Sequence, residues 1–254
     1  MTARKHLHIG VFIPSPSAAQ LLDTACIDVF AITSYQYLSP LPMVPKHLSS
    51  LAPELKISYI GSQKPGSLIQ LTANMRIELS NHFSDAEVAP GKLDVVLVPG
   101  PDPRDTWDED ALSWLRQQGA APGTDILSVC TGIYLCAAAG LADGRRVCGP
   151  RGLQSELRNM YPRAEFVGEK LRWVRDGNFW SSGGVTNGND LVAAYCRESG
   201  RFPGPVAEFA CKVADVGDRS QLYSKSQSAF TVGIVWQLIK AWFIGAGKEK
   251  SKAV

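Results

Sequence analysis

Apolar positions along this chain follow two rhythms: short alternating or unbroken runs, and longer stretches spaced at three or four residues. The first rhythm predicts strands and the second helices. Leu7 to Ile13 alternates and then runs apolar into Pro14, Ser15 and Pro16, so it predicts a central strand that ends in a loop. Leu21, Leu22, Ala25, Val29, Phe30 and Ile32 predict a helix within Ala19 to Tyr35. Four prolines between Ser39 and Pro53 make an irregular excursion. Leu55 to Ile60 alternates as a second strand, and Leu68 to Leu79 predicts a hairpin turning near Ala73 and Asn74. Leu93 to Val98 is a continuous apolar run of the parallel-sheet type, closed by Pro99, Gly100 and Pro101.

The chain is organised around Asp125 to Gly140. Ile126, Leu127 and Val129 form a strand that runs into Cys130, and a small-residue helix is expected from Thr131 to Ala139. Upstream, Thr106 and Glu109 read as a capping box opening a helix over Trp107 to Gln118. Downstream come a strand at Arg146 to Cys148, a short helix from Gln154 to Tyr161 and a strand near Phe166. A hairpin around Asp176 and Gly177 and a helix from Asn189 to about Glu198 follow. Strands alternating with helices predict an α/β fold, a flavodoxin-like sandwich with a mainly parallel central sheet and helices on both faces.

Ala229 to Gly247 breaks this rhythm. It is apolar except for Gln237 and Lys240 and is followed by KEKSK. Its length approaches the ~20 residues that span a bilayer, but a lysine near the centre costs ~3 kcal/mol there. Three readings stay open: a helix covering the core or a dimer interface, an interfacial helix on a membrane surface, and a tail anchor, against which Lys240 weighs. Residues 1–214 are expected to form the α/β domain and residues 215–254 a C-terminal extension with an apolar helix and basic tail.

Composition narrows the partners. A net charge of +2, from 26 basic and 24 acidic residues, leaves no electrostatic footprint for nucleic acid. Six widely spaced cysteines without a CxxC pair predict reduced thiols in a cytoplasmic setting. The apolar run after MTARKH is too short for a signal peptide.

Cys130 carries the candidate chemistry. A thiol between a strand and a helix sits where open sheets place ligand crevices, as in a nucleophile elbow. The bland alternative is a small buried cysteine that packs as a hydrophobe.

Five stretches in this order, LLDTACIDVF, LDVVLVPGPDP, SVCTGIYLCAAAGLADGRRV, WVRDGNFWSSGG and VTNGNDLVAAY, resemble the class I glutamine-amidotransferase-like superfamily that contains the PfpI proteases and the Parkinson's-disease-associated deglycase. Through SVCTG and the block from Gly183 to Asp190 the chain looks most like the isonitrile hydratase branch and its fungal relatives. The resemblance implies a homodimer that needs no metal or organic cofactor and acts on a small-molecule substrate. It implies Cys130 as nucleophile and a carboxylic acid early in the first helix as its partner. Asp23 is the candidate acid, although an ungapped match falls on Leu22. A carboxyl beside a thiolate must be protonated to act as donor.

Two departures from the family pattern bear on the reaction. Pro150 occupies the position of the family histidine, and none of His6, His8, His47 and His82 lies in a stretch able to replace it. Peptide hydrolysis of the Cys-His kind is therefore disfavoured. Pro101 stands where a second glycine usually donates an oxyanion N–H, which Pro cannot do. The remaining donors are Thr131, with Gly100 or Asp102 as the second. Arg151 either points into the crevice to bind a carboxylate or enolate, or sits at the surface. The function expected is a cofactor-free cysteine hydratase or lyase acting on a small electrophile. The alternative is a non-catalytic redox sensor or small-molecule-binding regulator on the same scaffold.

Overall fold

The protein is described here by a computed structural model covering residues 4–16, 18–184 and 186–252, with side chains through residue 244. Among the described residues eleven strands form: β1 (His6–Phe12), β2 (Glu54–Gly61), β3 (Leu68–Gln70), β4 (Arg76–Glu78), β5 (Asn81–His82), β6 (Val95–Val98), β7 (Asp125–Val129), β8 (Arg146–Val147), β9 (Glu165–Phe166), β10 (Trp173–Asp176) and β11 (Phe179–Ser182). Seven of them build one sheet in the order β10-β11-β7-β6-β1-β2-β5. All neighbours run parallel except β10 and β11. The mainly parallel, helix-covered sheet is the flavodoxin-like architecture that the alternating pattern predicts.

The central strands are apolar on both faces because both faces are covered. Ile9, Val11, Val95, Leu97, Leu127 and Val129 pack toward the helices Ile27–Ile32 and Asn187–Glu198. Phe12, Val96, Val98 and Ile126 face the other way, toward the helix Glu109–Ala120 and the elbow helix Gly132–Ala138. From β1 the chain builds outward to β2, then returns to place β6 and β7 on the opposite side of β1. The carboxyl ends of β1 and β6 thus flank a switch point, the place where open α/β sheets hold ligands.

Several local expectations are corrected. The single helix expected within Ala19 to Tyr35 is broken into Leu21–Thr24, Ile27–Ile32 and Tyr35–Leu38. Ser34 caps the third piece by accepting from the N–H of Tyr37. The capping box does not form. That helix begins at Glu109, one residue after Asp108 at the cap, so Glu109 sits too early to reach back to Thr106. The proline-rich excursion contains a short helix, Lys46–Ser49. The hairpin, by contrast, turns at Ala73 and Asn74 as expected, both with positive φ.

Residues 220–227 run back along the edge of β10, and a helix then extends from Gln227 to Lys252. This helix does not cover the core, because its apolar side chains from Val232 to Ile244 face solvent. Among the described residues no helix is long and apolar enough to cross a membrane.

Candidate active site

Three chain segments converge at the switch point, each from the carboxyl end of a strand. The turn after β7 supplies Cys130, whose φ of 57° places a non-glycine residue in the left-handed region. Such a conformation costs about 1–2 kcal/mol and persists only where the surroundings impose it. The next turn shows what imposes it. A Cβ on Gly132 would run into the carbonyl oxygen of Val98, so only glycine lets the elbow helix start this close to β6. Helical bonds then begin at once, with the N–H of Tyr134 donating to the Thr131 carbonyl at 3.0 Å.

The segment after β1 supplies Asp23. Its one-turn helix is held by two bonds donated from backbone N–H groups, Gln20 N–H to the Gly100 carbonyl at 3.0 Å and Leu21 N–H to the Thr72 side-chain Oγ1 at 2.8 Å. That turn leaves Leu22 52% exposed and Asp23 fully buried. The offset in the sequence motif is thus resolved by the break in the helix, which turns Asp23 and not Leu22 toward the thiol.

Asp23 Oδ2 accepts the N–H of Gly100 at 3.1 Å, and its carboxyl is hydrogen-bonded to Cys130. Burial pushes the Asp23 carboxyl up to about 7, against the opposing pull of the Gly100 N–H and the bond with Cys130. Near neutral pH the Asp23 carboxyl can therefore both give and take a proton beside the thiol.

The loop after β6 completes the site. The space beside the Gly100 α-carbon is filled by Asp23 Oδ2 and Thr131 Oγ1, and the Thr131 nitrogen lies 3.2 Å from where a Cβ would sit. Gly100, expected as an oxyanion donor, thus gives its N–H to Asp23. Thr131 gives its hydroxyl to the Pro101 carbonyl at 2.7 Å. Over the loop opens a cleft of about 700 Å³, lined in part by Gln20, Thr72, Gly100, Thr131, Arg104 and Glu156. At its rim Arg104 grips Asp102 at 2.6 Å and holds that carboxyl down at about 2.

Arg151 is placed elsewhere. It is 7% exposed, donates through Nε to Gln227 at 2.9 Å and through a terminal nitrogen to the Lys225 carbonyl at 2.5 Å, and stacks 4.2 Å above the Tyr223 ring. In this structure it clasps the C-terminal segment and does not line the cleft. Pro150 leaves the family-histidine position without an imidazole, and its carbonyl accepts from Gln154 at 3.1 Å. His6 pairs with Glu54, His8 with Ser58 and His82 with Ser84, while His47 is exposed; none lines the cleft.

The other five thiols are buried and unbridged. Burial pushes Cys136 and Cys148 each up to about 12, which makes them poor nucleophiles. Glu156, bonded at 3.0 Å by the Tyr134 hydroxyl, is a cleft carboxylate that sequence reading passed over. Its only sequence signal is an acidic residue in the first turn of a short helix.

A strand-to-helix elbow carrying a strained cysteine, with a buried carboxyl partner brought from the first β-α connection, defines a thiol-centred α/β protein. The DJ-1/PfpI family pattern matches residues 43–198, and the chain belongs to the DJ-1/PfpI family. It is 33% identical over 135 residues to an isonitrile hydratase of Pseudomonas putida. That alignment covers 52% of this chain and spans 55% of the relative's length. Among solved structures, a ThiJ/PfpI family protein from Pseudomonas syringae superposes with a TM-score of 0.66 at 18% identity, covering 94% of this chain and 88% of the other. Drosophila melanogaster DJ-1beta superposes with a TM-score of 0.62 at 19% identity, over 84% and 99%. At these identities the two structures speak for the fold alone.

Proposed function

We propose that this protein is a cysteine-dependent enzyme that adds water to a small electrophile, with an isonitrile as the substrate type. The observation that carries this is the contact of Cys130, held in the left-handed conformation, with a buried Asp23 whose carboxyl titrates near neutrality. The hydratase relative supports the substrate type, and the missing imidazole favours a reaction that needs one proton shuttle and no Cys-His base.

The steps balance on these two side chains and one water. The Cys130 sulfur attacks the terminal isonitrile carbon while Asp23 delivers its proton to that carbon, giving a thioimidate and a carboxylate. Asp23 then takes a proton from water as the hydroxide adds to the same carbon, and the nitrogen gains its hydrogen from the carboxyl. Expulsion of the sulfur gives an N-substituted formamide and restores the proton on Asp23. No redox change occurs.

The test uses the full chain with a simple alkyl isonitrile and follows formamide formation by NMR. Turnover is expected for the native chain, none for Cys130→Ser, and a loss of about 10²-fold or more for Asp23→Asn with the fold intact by circular dichroism. Equal rates in the three proteins would remove the enzyme reading. No turnover by the native chain, with peroxide converting Cys130 to sulfinate and altering assembly, would favour the sensor instead.

A further inference from the structure

The C-terminal helix is attached through a built junction. Leu222 bridges Leu171 in antiparallel fashion, Tyr223 N–H donates to the Lys170 carbonyl at 3.0 Å, and Gln221 Nε2 donates to the Trp173 carbonyl at 2.9 Å. Asn187 Nδ2 donates to the Tyr223 hydroxyl at 2.6 Å, and Arg151 packs between the rings of Tyr223 and Phe230. The helix therefore leaves the body from a fixed root.

Beyond that root the side chains from Thr231 to Ile244 are all exposed. Their arrangement around the axis is uneven. At 100° per residue, the large apolar side chains other than Ile244 run from Ile234 through Leu238, Trp242, Ile239 and Phe243 to Trp236, an arc of about 200°. Gly233, Gln237, Lys240 and Ala241 cluster on the opposite side. An arc this wide exceeds the roughly 100° stripe that one packed neighbour covers, so a single partner helix would leave its edges wet. A lipid surface that takes in half of a helix covers it completely. Trp236, at the edge of the arc, suits the headgroup boundary, and the Lys240 ammonium, 5.4 Å from the Trp236 ring, can reach polar headgroups along its flexible stem.

Charge points the same way. Residues 227–254 hold four of the 26 basic residues and one of the 24 acidic ones, a net of +3. The preceding residues, with 22 basic and 23 acidic, carry −1. The positive charge of the chain is thus concentrated on the apolar helix and its tail, where it complements an anionic surface and would be wasted on a second copy of itself.

We propose that residues 228–252 form an interfacial helix that lies in the surface of an anionic bilayer, with the arc from Ile234 to Trp236 immersed and the body held at the membrane through the Arg151 clasp. This inference does not rest on the enzymatic reading.

The experiment is flotation of the full chain with phosphatidylcholine vesicles, with and without about a quarter phosphatidylserine. The chain is expected to float with the anionic vesicles, to be released as salt rises, and to show a blue shift of tryptophan emission. A Leu238→Glu, Trp242→Glu double variant is expected to lose about tenfold or more of its binding while melting at the native temperature. Failure to float on either vesicle overturns the proposal, and equal flotation on both overturns the anionic assignment. A lipid-free dimer that the double variant converts to monomer, without lipid binding by the native chain, gives the surface to a second copy instead.

Discussion

Gly100 and Asp23 constrain each other. The glycine donates its N–H to Asp23 Oδ2 at 3.1 Å, and the same carboxyl oxygen occupies the space that a side chain on residue 100 would need. Gly100→Ala is therefore expected to push Asp23 and Thr131 away from Cys130, at a cost of about 1–3 kcal/mol in stability. Thermal melting reads the loss of stability. A changed rate of Cys130 alkylation reads the displacement, and a native alkylation rate would show that the thiol does not depend on this packing.

The raised titration of Asp23 sets a pH dependence. Its folded value of about 7 lies above the ordinary 3.8, so the folded chain binds this proton more tightly than the unfolded chain. The resulting stabilisation is full below about pH 4 and is lost as pH rises through about 7, an effect on the order of 4 kcal/mol from this group alone. Asp23→Asn cannot titrate and should flatten that part of the curve. Urea denaturation at a series of pH values measures it, and parallel curves for the two proteins would rule out a buried, titrating Asp23.

Arg151→Ala separates two roles for one guanidinium. As the clasp on Gln227, Lys225 and Tyr223, its loss should destabilise the C-terminal root by about 1–3 kcal/mol and speed tryptic cleavage after Lys225. Alkylation of Cys130 by iodoacetate and by iodoacetamide should stay in the native ratio. A selective slowing of the carboxylate-bearing reagent, without faster cleavage, would return Arg151 to substrate binding.

Much of this was legible in the sequence where a residue's role follows from its local pattern. The central strands are apolar on both faces and could be read directly, and so could the elbow, because Val129-Cys130-Thr131-Gly132 carries its strand, bend and helix in consecutive residues. Asp23 was readable only as a candidate. Whether it or Leu22 turns inward depends on the break between Thr24 and Ile27, which no periodicity marks, since both pieces keep helical spacing. Arg151 was ambiguous for a different reason. Its partners lie more than seventy residues away, in a segment whose own pattern reads only as apolar helix and tail. The capping box failed because the sequence signature fixes the spacing of two residues and leaves open where the first helical turn begins.

The left-handed backbone at Cys130 also separates durability from chemistry. At a φ of 57° glycine would rest without strain, so Cys130→Gly should keep or raise the melting temperature while removing the sulfur. A chain shaped only to endure heat would prefer the simpler residue there. By holding a thiol in that bend, this protein forgoes stability at the one position where its sheet hands over to the elbow helix, beside the carboxyl hydrogen-bonded to it.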